Sequence, residues 1–271
     1  MAEIEVVTRG LQSPYGLAFD ADDMMYVSES GAGRVSCLKE GRLVPFAQTG
    51  SRPRGIAFDD SGDLFVAESG RHHLILISPD VAVEVYASSC KGRRLVSPEE
   101  LCFSPTGDVL FSDAGHGVEA GDGSVYRANL DGEVTEIISG LSSPAGMILS
   151  EDAGVLYVSE RGHNRILSLE IDDDGNHQEQ QVFVELKDGH ADCLLFDKEG
   201  QLYASVPGQG ILVIDPEGAT IRTIDLPSKD VSGMAFGGLE FNILFACADD
   251  AVYRIPLEVP GQRPFAGPRS V

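Results

Sequence analysis

Residues 13–20 read Ser13-Pro14-Tyr15-Gly16-Leu17-Ala18-Phe19-Asp20, and versions of this octapeptide return five more times along the 271-residue chain. Each copy can be anchored on a large apolar residue near its end: Phe19, Phe58, Phe103, Leu149, Phe196 and Phe236. Successive anchors lie 39, 45, 46, 47 and 40 residues apart, so the repeats span the whole chain. A repeat of this length indicates a propeller or a solenoid.

Each repeat contains up to four short runs rich in Val, Ile, Phe and Tyr, separated by turns rich in Gly, Asp and Ser. This pattern predicts an all-β fold, a six-bladed β-propeller of four-stranded antiparallel blades. The sixth repeat supplies three strands, and the N-terminal segment Ile4-Glu5-Val6-Val7-Thr8 is predicted to add the fourth, which removes an exposed sheet edge. We expect residues 1–271 to form a single domain, with residues 260–271 as an irregular tail.

The composition limits the partners of the protein. The chain has 43 acidic and 20 basic residues, a formal net charge of −23, whereas nucleic acids and anionic membranes select for positive surfaces. The five cysteines form no CxxC motif, which argues against a zinc site or a disulfide framework. The N-terminus has no signal-peptide pattern, and no stretch approaches the ~20 apolar residues of a membrane span. We therefore expect a soluble cytoplasmic protein, and the oligomeric state stays open.

One residue in each repeat is predicted to point into a common funnel. The innermost strands of a propeller all begin at one mouth of the central channel, four positions before each anchor. These positions differ in residue type: Tyr15, Arg54, Glu99, Ala145, Asp192 and Ser232. Packing would favour similar residues in every copy, so the variation indicates a ligand site. Its polar and charged character suits a small-molecule substrate.

A second set of acidic residues ends the second strand of four repeats. Its members are Glu29, Glu68, Asp113 and Glu160. Because one carboxylate can accept several hydrogen bonds, we expect these residues to tie turns and neighbouring blades together through backbone N–H groups. The sequence contains no Gly-x-Ser-x-Gly, His-Glu-x-x-His or Walker motif, so serine-hydrolase, zincin and nucleotide-dependent activities have no support.

Several stretches resemble a known family of propellers. Residues 192–204 and 211–218 most strongly resemble the senescence marker protein 30, gluconolactonase and lactonase family. That family's closing blade is similar to Ala235-Phe236-Gly237-Gly238, Val252-Tyr253-Arg254-Ile255-Pro256-Leu257 and Val259-Pro260-Gly261. Gly162-His163-Asn164-Arg165-Ile166-Leu167 also resembles strictosidine synthase-like and NHL-repeat propellers. The resemblance covers nearly the full chain and specifies the fold better than the reaction, because one propeller hosts unrelated chemistries.

The lactonase resemblance implies a divalent metal in the funnel, held by a carboxylate from blade one, an Asn from blade four and an Asp from blade five. Asp192 matches the blade-five Asp, and Glu99 stands where blade three carries a nearby Asn. Tyr15 and Ala145 replace the other two ligands. Carried over to this chain, the resemblance therefore implies a metal, with calcium the first expectation, held by Glu99 and Asp192, and Glu100 as a further oxygen donor.

The same resemblance implies a metal-assisted hydrolase of lactones or similar small esters, in which the ion polarises the carbonyl and activates a water. Asp192, Glu99 and His116 are the predicted catalytic residues, with His116 as a proton shuttle. Residues predicted to bind the substrate are Tyr15, Arg54, His190 and Ser232.

Two alternatives stay open at the level of sequence. If no metal binds, Glu99 could act alone as a general base in a lyase or cyclase of secondary metabolism. The propeller could also be a non-catalytic, NHL-like binding module whose mouth holds a peptide or glycan. The few aromatic residues at the predicted mouth favour a small ligand over a protein partner.

Overall fold

Six antiparallel sheets surround a central channel in the computed structural model, which describes residues 4–172 and 175–265. From the channel outward, blade one contains Pro14–Phe19, Met25–Glu29, Arg34–Lys39 and Arg42–Gln48. Blade two contains Pro53–Phe58, Leu64–Glu68, His73–Ile77 and Val83–Ala87. Blade three contains Pro98–Phe103, Val109–Asp113, Gly123–Ala128 and Val134–Leu141, and the short strands Ser89–Cys90 and Arg93–Arg94 extend its outer edge.

The second half of the ring repeats this order. Blade four contains Pro144–Leu149, Val155–Glu160, Arg165–Ile171 and His177–Glu185, with a 3-10 helix at Arg161–His163. Blade five contains Cys193–Phe196, Leu202–Val206, Gly210–Ile214 and Thr220–Ile224. Blade six contains Val231–Gly237, Ile243–Ala248, Ala251–Pro256 and, from the N-terminus, Glu5–Arg9. The predicted six-bladed propeller is confirmed.

The N-terminal strand closes the ring as the sequence predicts. Glu5–Arg9 pairs antiparallel with Ala251–Pro256, so the first and last strands of the chain share blade six. This pairing joins the two ends of the propeller through backbone hydrogen bonds and covers the outer edge of the third strand. Within the described residues, no helix is both long and apolar enough to cross a bilayer.

Burial follows from position in the blade. Every residue of the second strands Leu64–Glu68, Val109–Asp113 and Leu202–Val206 is buried, because neighbouring blades cover both faces of each sheet. The outermost strands Val83–Ala87 and Thr220–Ile224 are largely exposed. Apolar clusters fill the spaces between blades, and the innermost strands are left to line the channel.

The carboxylates that end the second strands accept backbone hydrogen bonds, as predicted, and each ties the turn that leads into the inner strand to its own blade. Glu29 accepts a hydrogen bond from the backbone of Gln12, and Glu68 accepts one from the backbone of Arg52. Asp113 and Glu160 make the equivalent contacts in the next two blades, accepting from Val96 and Ser97 and from Ser142, respectively. These bonds hold the start of each inner strand in place, and that end of the strand forms the channel mouth.

A second repeated contact comes from serines of the second strands. Ser28 Oγ accepts a hydrogen bond from Gly16 N and donates one to Arg54 O in the next blade. Ser112 and Ser159 donate in the same way to Ala145 O and Ala191 O. The serines therefore fix the spacing of the inner strands around the channel.

The C-terminal segment closes the end of the channel opposite the mouth. Gln262 N donates to Phe196 O, and Gln262 Nε2 donates to Leu149 O, which places the segment across the anchor ends of two inner strands. Phe265 packs against the apolar clusters of blades three and four. No regular element is assigned to residues 262–265. The prediction that residues 1–271 form one domain stays a prediction, and residues 266–271 of its tail lie outside the described residues.

Candidate active site

Four of the six predicted funnel residues meet at the mouth. Tyr15, Arg54 and Glu99 stand at the starts of inner strands, and Asp192 directly precedes one. Glu99 is buried, with 3% of its side chain exposed, and Asp192 is 13% exposed. The repeat therefore brings two carboxylates, a guanidinium and a phenol from four blades to one place.

A residue from outside the predicted set links these groups. Arg161 begins the 3-10 helix that follows the second strand of blade four, and its side chain is 14% exposed. Its Nε lies 2.8 Å from Asp192 Oδ1, and its Nη1 lies 3.0 Å from Glu99 Oε2. Nη2 lies 2.9 Å from the Tyr15 hydroxyl and 2.7 Å from Asp192 Oδ1. The Arg161 guanidinium therefore bridges three blades across the channel.

Arg54 completes the cationic side of the mouth. Its guanidinium carbon lies 4.4 Å from the centroid of the Tyr15 ring, a cation–π contact. Its Nε lies 3.7 Å from Glu99 Oε2, and this buried nitrogen has no hydrogen-bond partner among the described residues. Two guanidinium groups and two carboxylates thus share the mouth, with Arg54 over the Tyr15 ring and Arg161 at the Tyr15 hydroxyl.

The electrostatics of Tyr15 and Arg161 follow from their burial and from each other. Burial raises the pKa of Tyr15 well above its usual value, and the nearby Asp192 and Glu99 add to that rise while Arg161 opposes it. Burial alone would lower the pKa of Arg161, but Tyr15, Glu99 and Asp192 outweigh it and raise that pKa. The phenol therefore stays protonated and the guanidinium stays charged, so both remain hydrogen-bond donors.

His190 lies beside the carboxylate of Asp192. Its Nε2 is 3.6 Å from Asp192 Oδ1, and 37% of its side chain is exposed to solvent. Burial lowers the pKa of His190, and the opposing effect of Asp192 does not cancel this. At neutral pH the imidazole is therefore uncharged and able to accept a proton, with a carboxylate next to it that would stabilise the resulting cation.

Two other predicted residues make contacts of a different kind. His116 is 70% exposed, and its Nδ1 lies 2.6 Å from Asp122 Oδ2 in the same loop, so its described contacts are not with the Arg161 cluster. Ser232 Oγ donates to Pro14 O at 2.7 Å and joins blade six to blade one. The roles predicted for them, proton shuttle and substrate contact, stay predictions.

Below the mouth, Glu100 projects into a cavity of about 160 Å³ in the channel. Mostly apolar side chains line this cavity, and Pro264 and Phe265 contribute to its far end. The Glu100 carboxyl occupies space that a side chain at Gly55 would fill. Burial raises the pKa of Glu100 to about 8; a hydrogen bond from Leu101 N opposes this rise, and Glu99 adds to it. At neutral pH Glu100 is therefore largely a neutral acid.

The residues at the mouth do not fit a divalent cation in this arrangement. Calcium takes six or more oxygen ligands, whereas Glu99 Oε2 and Asp192 Oδ1 already accept hydrogen bonds from Arg161. A second cation in contact with the same oxygens would be repelled by the guanidinium. Ala145, which stands where the lactonase resemblance implies a metal ligand, offers no side-chain oxygen. Among the described residues, no group of three or more His, Cys, Asp or Glu side chains is placed to hold a metal.

The sequence contained one signal for Arg161. The residue after the acid that ends the second strand is small in the first three blades, namely Ser30, Ser69 and Ala114, and a glycine follows each of them. Blade four keeps the acid and the glycine but has Arg161 between them. A long cationic side chain at a position where the other repeats have small residues indicates a specific contact away from its own strand. In the structure this contact is made at the channel mouth.

Fold and site together define a β-propeller with a polar, charged site at one mouth of its channel. The sequence profile of the SMP-30/Gluconolactonase/LRE-like region matches residues 39–248, which is most of the chain. The chain belongs to the SMP-30/gluconolactonase/LRE-like family. This result confirms the resemblance found in the C-terminal repeats.

Individual relatives agree with this assignment. A gluconolactonase from Zymomonas mobilis is 32% identical over 191 residues, covering 63% of this chain and 53% of that protein. The chain thus spans about half the length of this curated relative. A structure of a gluconolactonase from Xanthomonas campestris superposes with a TM-score of 0.86 at 24% identity, covering 96% of this chain and 90% of that one.

A third relative is described as calcium-binding. It is a regucalcin from Agrobacterium tumefaciens, with a TM-score of 0.86, 20% identity and coverage of 97% of this chain and 96% of that one. At this level of identity the likeness shows the shared propeller fold.

Proposed function

We propose that this protein hydrolyses lactones or similar small esters at the channel mouth. The observation that carries the proposal is the cluster of Glu99, Arg161, Asp192 and His190, in a chain that belongs to a family with gluconolactonases among its members. The cluster supplies a proton acceptor beside hydrogen-bond donors, which are the two functions that ester hydrolysis requires.

The proton acceptor in this proposal is His190. With its Nε2 facing Asp192, its Nδ1 accepts a proton from a water molecule as the water oxygen attacks the lactone carbonyl carbon. Asp192 stabilises the imidazolium that forms, as a carboxylate does in other hydrolases. The ring C–O bond then breaks, and the leaving alkoxide takes the proton back. The product is the open-chain hydroxy acid, which balances the addition of one water.

The substrate is placed by the donors on the other side of the mouth. The Tyr15 hydroxyl keeps a proton that it can donate, because the pKa of Tyr15 is raised by burial. Arg54 lies over the Tyr15 ring and provides a second cationic group. Polar donors packed this closely suit a small substrate that carries several oxygen atoms, such as a sugar lactone.

A metal-assisted form of the reaction is the second candidate. It is favoured by the fold shared with a regucalcin described as calcium-binding, and it would use Glu99 and Asp192 as ligands. Arg161 would first have to leave both carboxylates, because its N–H groups now occupy the oxygens that would bind the ion. The arrangement of Arg161 therefore favours hydrolysis without a metal.

A panel of sugar and aliphatic lactones, followed by proton release, tests the proposal. We expect the wild-type protein to open at least one lactone, and His190→Ala to lower kcat by roughly 10²-fold or more, since general bases contribute about 10²–10⁴-fold. His177→Ala, on the outermost strand of blade four, is the matched control and should keep the wild-type rate. Equal rates in the two variants would rule out His190 as the base, and an inactive wild type across the panel would contradict the lactonase proposal.

A further inference from the structure

The Arg161 guanidinium lies where a cation in this mouth would have to lie. It touches Glu99 from blade three, Asp192 from blade five and Tyr15 from blade one, with four nitrogen–oxygen distances between 2.7 and 3.0 Å. Each of the two carboxylates offers it an oxygen. The contacts come from three directions, which is how a central ion would be surrounded.

Neighbouring hydrogen bonds hold the backbone at Arg161 in the position from which its side chain reaches the two carboxylates. Glu160, directly before it, is fixed by Arg165 Nε at 2.6 Å and by Ser142 N at 2.8 Å. Arg161 N itself donates to Ser143 O, and Asn164, directly after the 3-10 helix, adopts the left-handed conformation. The backbone at Arg161 is thus held on both sides, so its side chain is directed across the channel.

The two carboxylates at the mouth require a cation. Glu99 and Asp192 both contact the Arg161 guanidinium, and their side chains are 3% and 13% exposed, respectively. Two carboxylates with so little access to water raise the free energy of the folded state unless a cation lies between them. A guanidinium satisfies this need permanently, since its charge is kept at all physiological pH values. A bound metal would satisfy it only while the metal is present.

We propose that Arg161 replaces the divalent cation at the mouth of this propeller, so that the wild-type protein has no divalent-metal site there. In turnover, Arg161 donates an N–H to the carbonyl oxygen of the substrate; this second part rests on the lactonase function proposed above. A guanidinium has five N–H donors, and the four contacts leave at least one of them for a substrate oxygen. Arg161 would then stabilise the negative charge that develops on this oxygen.

The replacement predicts a gain of metal binding when the guanidinium is removed. In Arg161→Ala, Glu99 and Asp192 are left facing a space that the guanidinium had filled, and their oxygens become available to calcium. We expect this variant to bind one more calcium ion than the wild type, with a Kd of roughly 10⁻⁴–10⁻³ M, the range of weak calcium sites. Its melting temperature should be lower than that of the wild type and should rise when calcium is added.

Calorimetric titration with calcium tests the replacement by counting the ions bound by the wild type and by Arg161→Ala. Both proteins are first treated with a chelator, and about 0.15 M salt screens the acidic surface. The double variant Arg161→Ala/Asp192→Asn is the matched control and should lose the gained ion. Arg161→Gln serves if Arg161→Ala does not fold, with the same expected gain. The proposal is overturned if wild type and variant bind equal numbers of ions, or if the wild type has a calcium site that Asp192→Asn removes.

The binding experiment is independent of the reaction. If Arg161→Ala gains a calcium ion while the wild type opens no lactone, then Arg161 replaces the cation and the lactonase proposal fails. If the wild type hydrolyses lactones and also binds calcium at the mouth, then the lactonase proposal stands and the replacement fails.

Discussion

Asp192→Asn is expected to lower kcat for lactone opening by roughly 10²–10³-fold, with a much smaller change in KM. Asp192 touches both of the groups that act in the proposed reaction, since Arg161 Nε lies 2.8 Å from its Oδ1 and His190 Nε2 lies 3.6 Å from the same oxygen. The asparagine keeps the shape and an acceptor oxygen but removes the charge that would stabilise the protonated imidazole. The effect should therefore fall on the chemical step.

Steady-state kinetics with the best lactone of the panel measures this effect. The folded state should also lose about 1–3 kcal/mol, because Arg161 keeps its charge but loses a charged partner. Asp225→Asn is the matched control, since Asp225 is exposed and pairs with Lys229 on the surface. A variant Asp192→Asn with wild-type kcat would show that the carboxylate has no part in the reaction.

Glu100→Gln is expected to remove a strong pH dependence of stability. The pKa of Glu100 is raised from 4.5 to about 8, so between these values the native state holds a proton that the unfolded state has released. The free energy of unfolding contributed by this group is therefore fully present below about pH 4.5 and is lost as the pH rises through about 8, by up to about 1.4 kcal/mol per pH unit. Glutamine is neutral in both states and contributes no such slope.

Urea denaturation at pH 5.5, 7 and 8.5 measures the difference between the two proteins. The charged groups that face Glu100 are the same in both proteins, namely Glu99, Asp192 and Arg161 at the mouth, and the thiols of Cys102 and Cys193 lie near it. The difference between the two stability curves therefore reports the Glu100 carboxyl. Glu84→Gln, on the exposed outermost strand of blade two, is the control and should follow the wild type. Parallel stability curves for wild type and Glu100→Gln would mean that the carboxyl is ionised in the folded protein.

The fold was predictable because each blade carries its own signal. A repeat with an anchor such as Phe58 or Phe103 at a fixed place defines one blade, and six repeats leave little freedom in how they are arranged. The N-terminal strand was predictable for a related reason. The sixth repeat lacks a fourth strand, and a propeller with an open edge would be prone to pair with other chains.

The candidate site was predictable only in part. Tyr15, Arg54, Glu99 and Asp192 share one position in the repeat, so the periodicity alone places them at one mouth. Arg161 belongs to a different position, and its contacts depend on a long side chain that crosses from blade four to blades three, five and one. Periodicity defines where backbones lie, whereas the reach of a flexible side chain depends on the packing of several blades.

The environment of Glu100 was also not predictable from the sequence. It stands at a place where four of the other repeats have glycine, namely Gly16, Gly55, Gly146 and Gly233. These glycines let neighbouring inner strands approach closely, and a Cβ at Gly233 would overlap the carbonyl oxygen of Tyr15. The sequence suggested Glu100 as an extra metal ligand, but its burial in the channel and the raised pKa of its carboxyl follow from packing that the sequence alone does not display.

Whether the Arg161 guanidinium or a bound ion acts on the substrate is measured by the rate of lactone hydrolysis in protein freed of metal with EDTA, before and after calcium is added. If Arg161 supplies the cation at the mouth, the metal-free protein should hydrolyse the lactone at its full rate, and calcium should change that rate by less than about twofold. A metal-free protein that is inactive and regains activity with calcium would contradict this role of Arg161, since it would show that an ion, and not the guanidinium, acts on the substrate.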